Sequence, residues 1–155
     1  VEATNTVETV ATDTRLSVTI DCPPEQVFAA LTDVASHTDW SKGAGEITAL
    51  SDNPVRLGST WQQVSTMLGK KVATTMKVNV YEENREFGFA SAKPFPVRIL
   101  FTLAPAPAGT EVRIVASGEP TNFFGRVAMP ILAKSLERQM EADLYSLKAM
   151  LEQQA

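Results

Sequence analysis

From Glu46 to Ser117 apolar residues recur mostly at every second position, and beyond Gly125 their spacing changes to three and four. That single change of period constrains the chain more than anything else in it. A run of half-buried strands is followed by one long amphipathic helix. Glu46 to Leu50 is a short strand that Asn53-Pro54 interrupts, and Ser59 to Leu68 is a longer one. Gly69-Lys70 reads as a hairpin tip, after which Val72, Thr74, Met76, Val78 and Val80 alternate. Glu83-Asn84-Arg85 turns the chain into a strand with Phe87 and Phe89 on one face. Val97, Ile99, Phe101 and Leu103 share a face of the next strand, Pro105 to Gly109 is a turn, and Val112, Ile114 and Ala116 alternate in the last. Strands joined by such short turns pair antiparallel.

The helix is read from Leu132, Leu136, Met140, Leu144, Leu147 and Leu151, with Lys134, Glu137, Arg138, Glu141, Lys148 and Glu152 on its other faces. A helix from Gly125 to Gln153 would be roughly 40 Å long. Pro130 falls inside it, which predicts a kink or a first turn that is not α-helical. Before the strand run lie three further elements. Leu16, Val18 and Ile20 alternate in a first strand over Val10 to Ile20. Pro23-Pro24 stops it and opens a short helix over Pro24 to Asp33, with Glu25 at its positive end and Val27, Phe28 and Leu31 at helical spacing. Asp33 to Trp40 reads as a second short helix or a turn.

At 155 residues, 44% hydrophobic and 21% charged, the chain has the length and composition of one globular domain. Its expected extent is 10–153, behind a flexible N-terminal segment at 1–9. The fold class expected is α+β, a curved seven-stranded antiparallel sheet around a long C-terminal helix, with two short helices after strand 1. A sheet with one apolar face must cover it, and the C-terminal helix is the element long enough to do so. A twisted sheet curls, and a curled sheet around one helix leaves room for a cavity.

Several of these pieces resemble those of a known superfamily. Ile20-Asp21-Cys22-Pro23-Pro24-Glu25-Gln26-Val27-Phe28-Ala29-Ala30-Leu31-Thr32-Asp33 resembles the N-terminal signature of the START-like polyketide cyclase/dehydrase and lipid-transport proteins, the superfamily that includes the birch-pollen-allergen fold. Trp40 resembles that family's aromatic residue at the end of the second short helix. Leu57-Gly58-Ser59-Thr60-Trp61 resembles its entry to the third strand, and Leu68-Gly69-Lys70 its hairpin glycine. Phe123-Phe124-Gly125-Arg126 through Leu151 resembles its C-terminal helix, Pro130 included. The resemblance covers about residues 10 to 152. It implies a helix-grip fold and the binding, with or without transport, of a small hydrophobic molecule such as a lipid or polyketide. The superfamily also contains aromatase/cyclases and interaction partners, so a cyclase/dehydratase-type enzyme and a protein-interaction or regulatory module stay open beside the carrier. No arginine or tyrosine of this chain matches the polar cavity residues of the cyclases.

The residues expected to line such a cavity come from both walls. Trp40, Trp61, Gln63, Met76 and Val78 stand at the first strands, and Phe87, Phe89 and Phe101 on the strands that follow. Met129, Leu132, Leu136 and Met140 stand on the helix. Each also has a plain core-packing reading, and both phases of the Ser59–Leu68 strand remain open as the inward one. Were Trp61's phase inward, Gln63 would be a buried amide in need of a partner. Phe95, Phe123 and Phe124 stand in loops suited to rim a cavity mouth. Arg98, Glu111 and Arg113 alternate with apolar residues and should point outward.

Titratable chemistry is sparse. His37 is the single histidine, and its polar setting Ser36-His37-Thr38-Asp39 predicts a surface position. Cys22 is the single cysteine, expected to be a small buried hydrophobe and unable to form an internal disulfide. One histidine and one cysteine predict no metal, and no cofactor is expected. A net charge of −4 without a basic run argues against nucleic acid. No apolar window approaches a membrane span. Val1 to Val10 lack the basic and apolar parts of a signal peptide, so a cytoplasmic location is expected.

Overall fold

The computed structural model describes residues 12–42, 45–67, 69–92, 96–118 and 123–154. The N-terminal segment expected to be flexible lies outside the described residues, as do Val10, Leu68 and Phe95. The elements run β1 (Thr12–Ile20), α1 (Pro24–Thr32), a 3-10 helix (Val34–Asp39), β2 (Glu46–Thr48), β3 (Thr60–Met67), β4 (Lys70–Glu82), β5 (Glu86–Ser91), β6 (Val97–Ala106), β7 (Gly109–Gly118) and α2 (Phe123–Gln154). This is the helix-grip arrangement expected from the sequence.

The seven strands form one antiparallel sheet in the order β1-β7-β6-β5-β4-β3-β2. β2 to β7 follow one another as a meander, so tight turns supply most of the pairing. β1 lies on the far side of β7, and Thr12 to Ile20 pair with Gly118 to Thr110. The chain therefore leaves one edge of the sheet at Ile20 and reaches the other at Glu46, with α1 and the 3-10 helix between.

Local chemistry accounts for the joints. Pro23 caps α1 in an extended conformation and Pro24 stands in its first turn, where no N–H is missed. Thr32 ends the helix by turning its hydroxyl onto the Phe28 carbonyl at 2.9 Å. Asn84, at a φ of 63°, makes the β4–β5 turn, a left-handed position that asparagine tolerates. Pro105, placed in a turn by the sequence pattern, instead continues β6, which runs to Ala106 and leaves Pro107-Ala108 as the turn. The α-helix α2 begins at Phe123 and continues through Pro130, so its first turn is helical, contrary to one of the two alternatives expected.

Alternation along β4 also breaks where simple period two did not foresee it. A bulge between Val78 and Val80 shifts the register against β5. Val78 stays opposite Phe89 on the inner face, while Val80 moves opposite Gly88, and Tyr81 comes opposite Phe87. Gly88 leaves space that a Cβ would contest, 3.2 Å from both Val80 and Leu100.

The core lies between the inner sheet face and the helices. Ile20, Phe101, Leu103, Val112 and Ile114 of the sheet are buried with Val27, Phe28 and Leu31 of α1 and Leu144, Leu147 and Leu151 of α2. Lys148 donates to the Thr19 carbonyl at 2.8 Å, and the Asp21 N–H donates to Glu152 at 2.9 Å, tying this half of α2 to β1.

Candidate functional site

The register of β3 settles which of its phases faces the helix. Trp61 pairs with Met76, Gln63 with Thr74 and Ser65 with Val72, and Ile47 of β2 stands opposite Gln63. Trp61 is 1% exposed, whereas Gln62 and Thr66 are exposed. Trp61's phase is therefore the inward one. Arg98 and Arg113 point outward as expected, and Arg113 pairs there with Glu111 at 3.2 Å.

Between this inner face and the short helices packed on it, the rings of six aromatic residues and His37 form a continuous chain that ends at the exposed Tyr81. Trp40 and His37 lie 5.1 Å apart, and His37 and Trp61 6.5 Å. Trp61 meets Phe89 at 5.0 Å, and Phe89 meets Phe87 at 5.7 Å. Phe87 meets Phe28 at 6.4 Å, and Phe28 meets Tyr81 at 5.3 Å. All but the Phe87–Phe89 pair are edge contacts, which suit the ring quadrupoles. Met76, Val78 and Phe101 are buried in the same cluster. Met140 is half-buried against it from α2. The side chains of Met129, Leu132 and Leu136, expected on the helical wall, lie outside the described residues, as do those of Phe123 and Phe124.

His37 is the clearest departure from expectation. It is 4% exposed, not a surface residue. The polar neighbours Ser36, Thr38 and Asp39 suggested a wet turn, but in a 3-10 helix every third residue eclipses. Val34, His37 and Trp40 fall at that spacing, and all three are buried. The spacing was present in the sequence and was the signal to read. Nε2 of His37 lies 2.6 Å from the Leu31 carbonyl oxygen, which only accepts, so Nε2 carries the proton. Burial pushes the imidazole pKa down, against smaller upward effects of the Leu31 carbonyl and Asp33. The ring is neutral and structural at neutral pH. Asp39 is exposed and does not orient it.

Polar groups along the inner face are mostly committed to the protein. Gln63 accepts from the Trp61 indole N–H at 3.0 Å. An indole only donates, so the amide oxygen faces Trp61 and the amide NH2 faces away. The amide is half-buried. Asp143, buried on α2, receives the Ser41 hydroxyl at 2.7 Å, the Gln139 amide at 2.9 Å and the Lys42 backbone N–H at 3.1 Å. This carboxylate staples the segment after the 3-10 helix to α2, a role that sequence spacing does not reveal. The indole N–H of Trp40 is buried and has no hydrogen-bond partner among the described residues. Cys22 is buried as expected, and burial first, then Glu152 and Asp21, pushes its thiol pKa up, away from a reactive thiolate. Among the described residues no group of three His, Cys, Asp or Glu side chains is placed to hold a metal ion. No described helix is long and apolar enough to cross a membrane.

Burial along the inner face is graded. Phe101, Leu103, Val112 and Ile114 are buried, but further along the same strands Val97, Ile99 and Ala116 are only half-buried. Leu16, Val18, Val72 and Thr74, on the same face of β1 and β4, are half-buried too. A separate open depression of about 670 Å³ is lined chiefly by Ala73, Thr75, Lys77, Asn79 and Ala90. It lies over the outer phase of β4 and β5, away from the ring chain.

A family model described as polyketide cyclase / dehydrase and lipid transport matches residues 11–152. No curated protein matches the chain. Among solved structures, TTHA0849 from Thermus thermophilus superimposes with a TM-score of 0.76 at 19% identity, covering 90% of this chain and 97% of that one. The Zhui aromatase/cyclase from Streptomyces sp. R1128 does so with a TM-score of 0.74 at 14% identity, covering 92% and 94%. The di-domain aromatase/cyclase StfQ of the steffimycin biosynthetic pathway gives a TM-score of 0.77 at 12% identity, covering 99% of this chain and 55% of StfQ. At these identities the likeness is one of fold.

Proposed function

The chain belongs to the polyketide cyclase / dehydrase and lipid transport family, and from that premise we propose that it binds a small, largely apolar molecule between the inner sheet face and α2. One observation carries the reading. The inner face is largely apolar, yet towards Val97, Ile99, Leu16 and Val72 it is left half-open with α2 in place. An apolar concave surface with a few polar groups is the usual form of a small-molecule site. Water against it is replaced favourably by a hydrophobic ligand, at about 25 cal/mol per Å² covered.

Holding is favoured over catalysis. Zhui and StfQ are aromatase/cyclases, and a catalyst of that kind needs a group placed to move a proton. Here His37 has Nε2 bound to Leu31, and Asp143 is occupied by Ser41, Lys42 and Gln139. Native mass spectrometry of the protein purified without detergent, followed by organic extraction, tests the reading. A defined co-purifying mass, or saturable binding from a panel of fatty acids, sterols and polyaromatics, is expected. A protein that is empty and binds no member of the panel overturns it and leaves the interaction module.

A further inference from the structure

Tryptophan brings one polar atom into a protein interior, and that atom can only donate. Burying such an N–H without an acceptor is costly, so native structures rarely leave one. Trp40 is 7% exposed and its Nε1–H has no partner, the one such side-chain atom among the described residues. Trp61, its counterpart across His37, is satisfied by Gln63.

The acceptors known near Trp40 among the described residues each already receive at least one hydrogen bond from another donor. The His37 carbonyl receives both the Trp40 and Ser41 backbone N–H groups, at 3.1 and 2.7 Å. The Leu31 carbonyl receives the imidazole, and the Asp143 carboxylate receives Ser41, Lys42 and Gln139. The Gln63 oxygen receives Trp61, so what that amide has left to offer is a donor. Among the described residues the Trp40 indole N–H is thus a buried donor on this face to which no acceptor is bonded.

We propose that the Trp40 indole N–H is a ligand-recognition group, and that the molecule held against this face carries an oxygen acceptor on an otherwise apolar body. The oxygen is neutral, as in a ketone, ester or hydroxyl. Asp143 approaches the residue next to Trp40, and a second carboxylate beside it would be repelled. This deepens the binding reading and rests on it.

Three probes of one shape separate the possibilities: ethylnaphthalene, acetylnaphthalene and naphthoate. Titrations of the full chain should show acetylnaphthalene binding about tenfold more tightly than ethylnaphthalene, the range of one buried hydrogen bond. In Trp40→Phe that preference should fall to about twofold or less, since the ring is largely kept and the donor lost. Naphthoate binding more tightly than acetylnaphthalene would overturn the neutral acceptor. Equal binding of the ketone and the hydrocarbon to the unaltered chain would overturn recognition by Trp40 while leaving the apolar site standing. Binding of none of the three would remove the site itself.

Should Trp40→Phe not fold, the unaltered chain still decides. It has two tryptophans, hence two indole N–H resonances in a ¹H–¹⁵N spectrum, and Trp61 serves as the bonded reference. Acetylnaphthalene should move the Trp40 resonance downfield, and ethylnaphthalene should not. A Trp40 resonance already at the bonded position in the ligand-free protein would mean that water satisfies it, and would overturn the proposal.

Discussion

At the scale of single residues, His37 makes the fold sensitive to acid. Its folded pKa is depressed by burial, so the unfolded chain takes up the proton first, at the ordinary imidazole value of about 6.5. In the window just below that value the unfolded state binds more protons, and stability falls as pH falls. The melting temperature should hold steady above neutrality and drop on acidification below about pH 6.5. His37→Gln, which keeps a donor for the Leu31 carbonyl, should flatten that drop. A second loss should set in at lower pH. The carboxyl of Asp52 is held below the usual range, first by the Ser59 hydroxyl and then by Ser51 and Arg56, and it gives up its stabilisation only when protonated. Gly109 is the residue least replaceable on backbone grounds. Its φ is 134°, and a Cβ there would stand 2.2 Å from the Ile20 carbonyl oxygen. Gly109→Ala should cost about 1–3 kcal/mol in urea unfolding from the strained backbone alone. The sequence marked Gly109 as a turn residue but carried no sign of this contact, because the neighbour comes from the other end of the chain. Gln63 was legible as an amide in need of a partner. That Trp61 supplies it depended on the phase of β3, which alternation by itself leaves undecided.

Among the elements, α2 was the most readable and the 3-10 helix the least. The leucine spacing holds because a 3.6-residue period keeps Leu144, Leu147 and Leu151 on one stripe, and all three are buried. Leu147 is 0% exposed, and Leu147→Ala should cost about 2–5 kcal/mol by denaturant titration. An unchanged midpoint would mean that this half of the helix is not seated on the sheet as described. The strands were legible wherever one face is buried, since period two then has a consequence. It failed at the β4 bulge, where an extra residue exchanges the faces of Val80 and Tyr81. A six-residue 3-10 helix repeats its three-residue period only briefly. Its polar residues Ser36, Thr38 and Asp39 therefore masked the buried row of Val34, His37 and Trp40.

For the molecule as a whole, a ligand that recognises only the assembled inner face must stabilise the fold. At a free concentration a hundred times its Kd the gain is about 2.7 kcal/mol. A thermal shift that rises with the logarithm of concentration is the expected signature, and a binding molecule that leaves the melting temperature unchanged would have to sit elsewhere. The sheet order was not readable as such, because alternation says that a strand has an inner face and not which strand lies beside it. The pairing of β1 with β7 has a consequence in time. Every other strand pairs with a neighbour made just before or just after it, but Thr12 waits for Gly118. During synthesis each strand of the meander from β2 to β7 can pair soon after it is made, while β1, made before any of it, has no partner until β7 is made. A chaperone that intercepts this chain has its longest opportunity at that first strand.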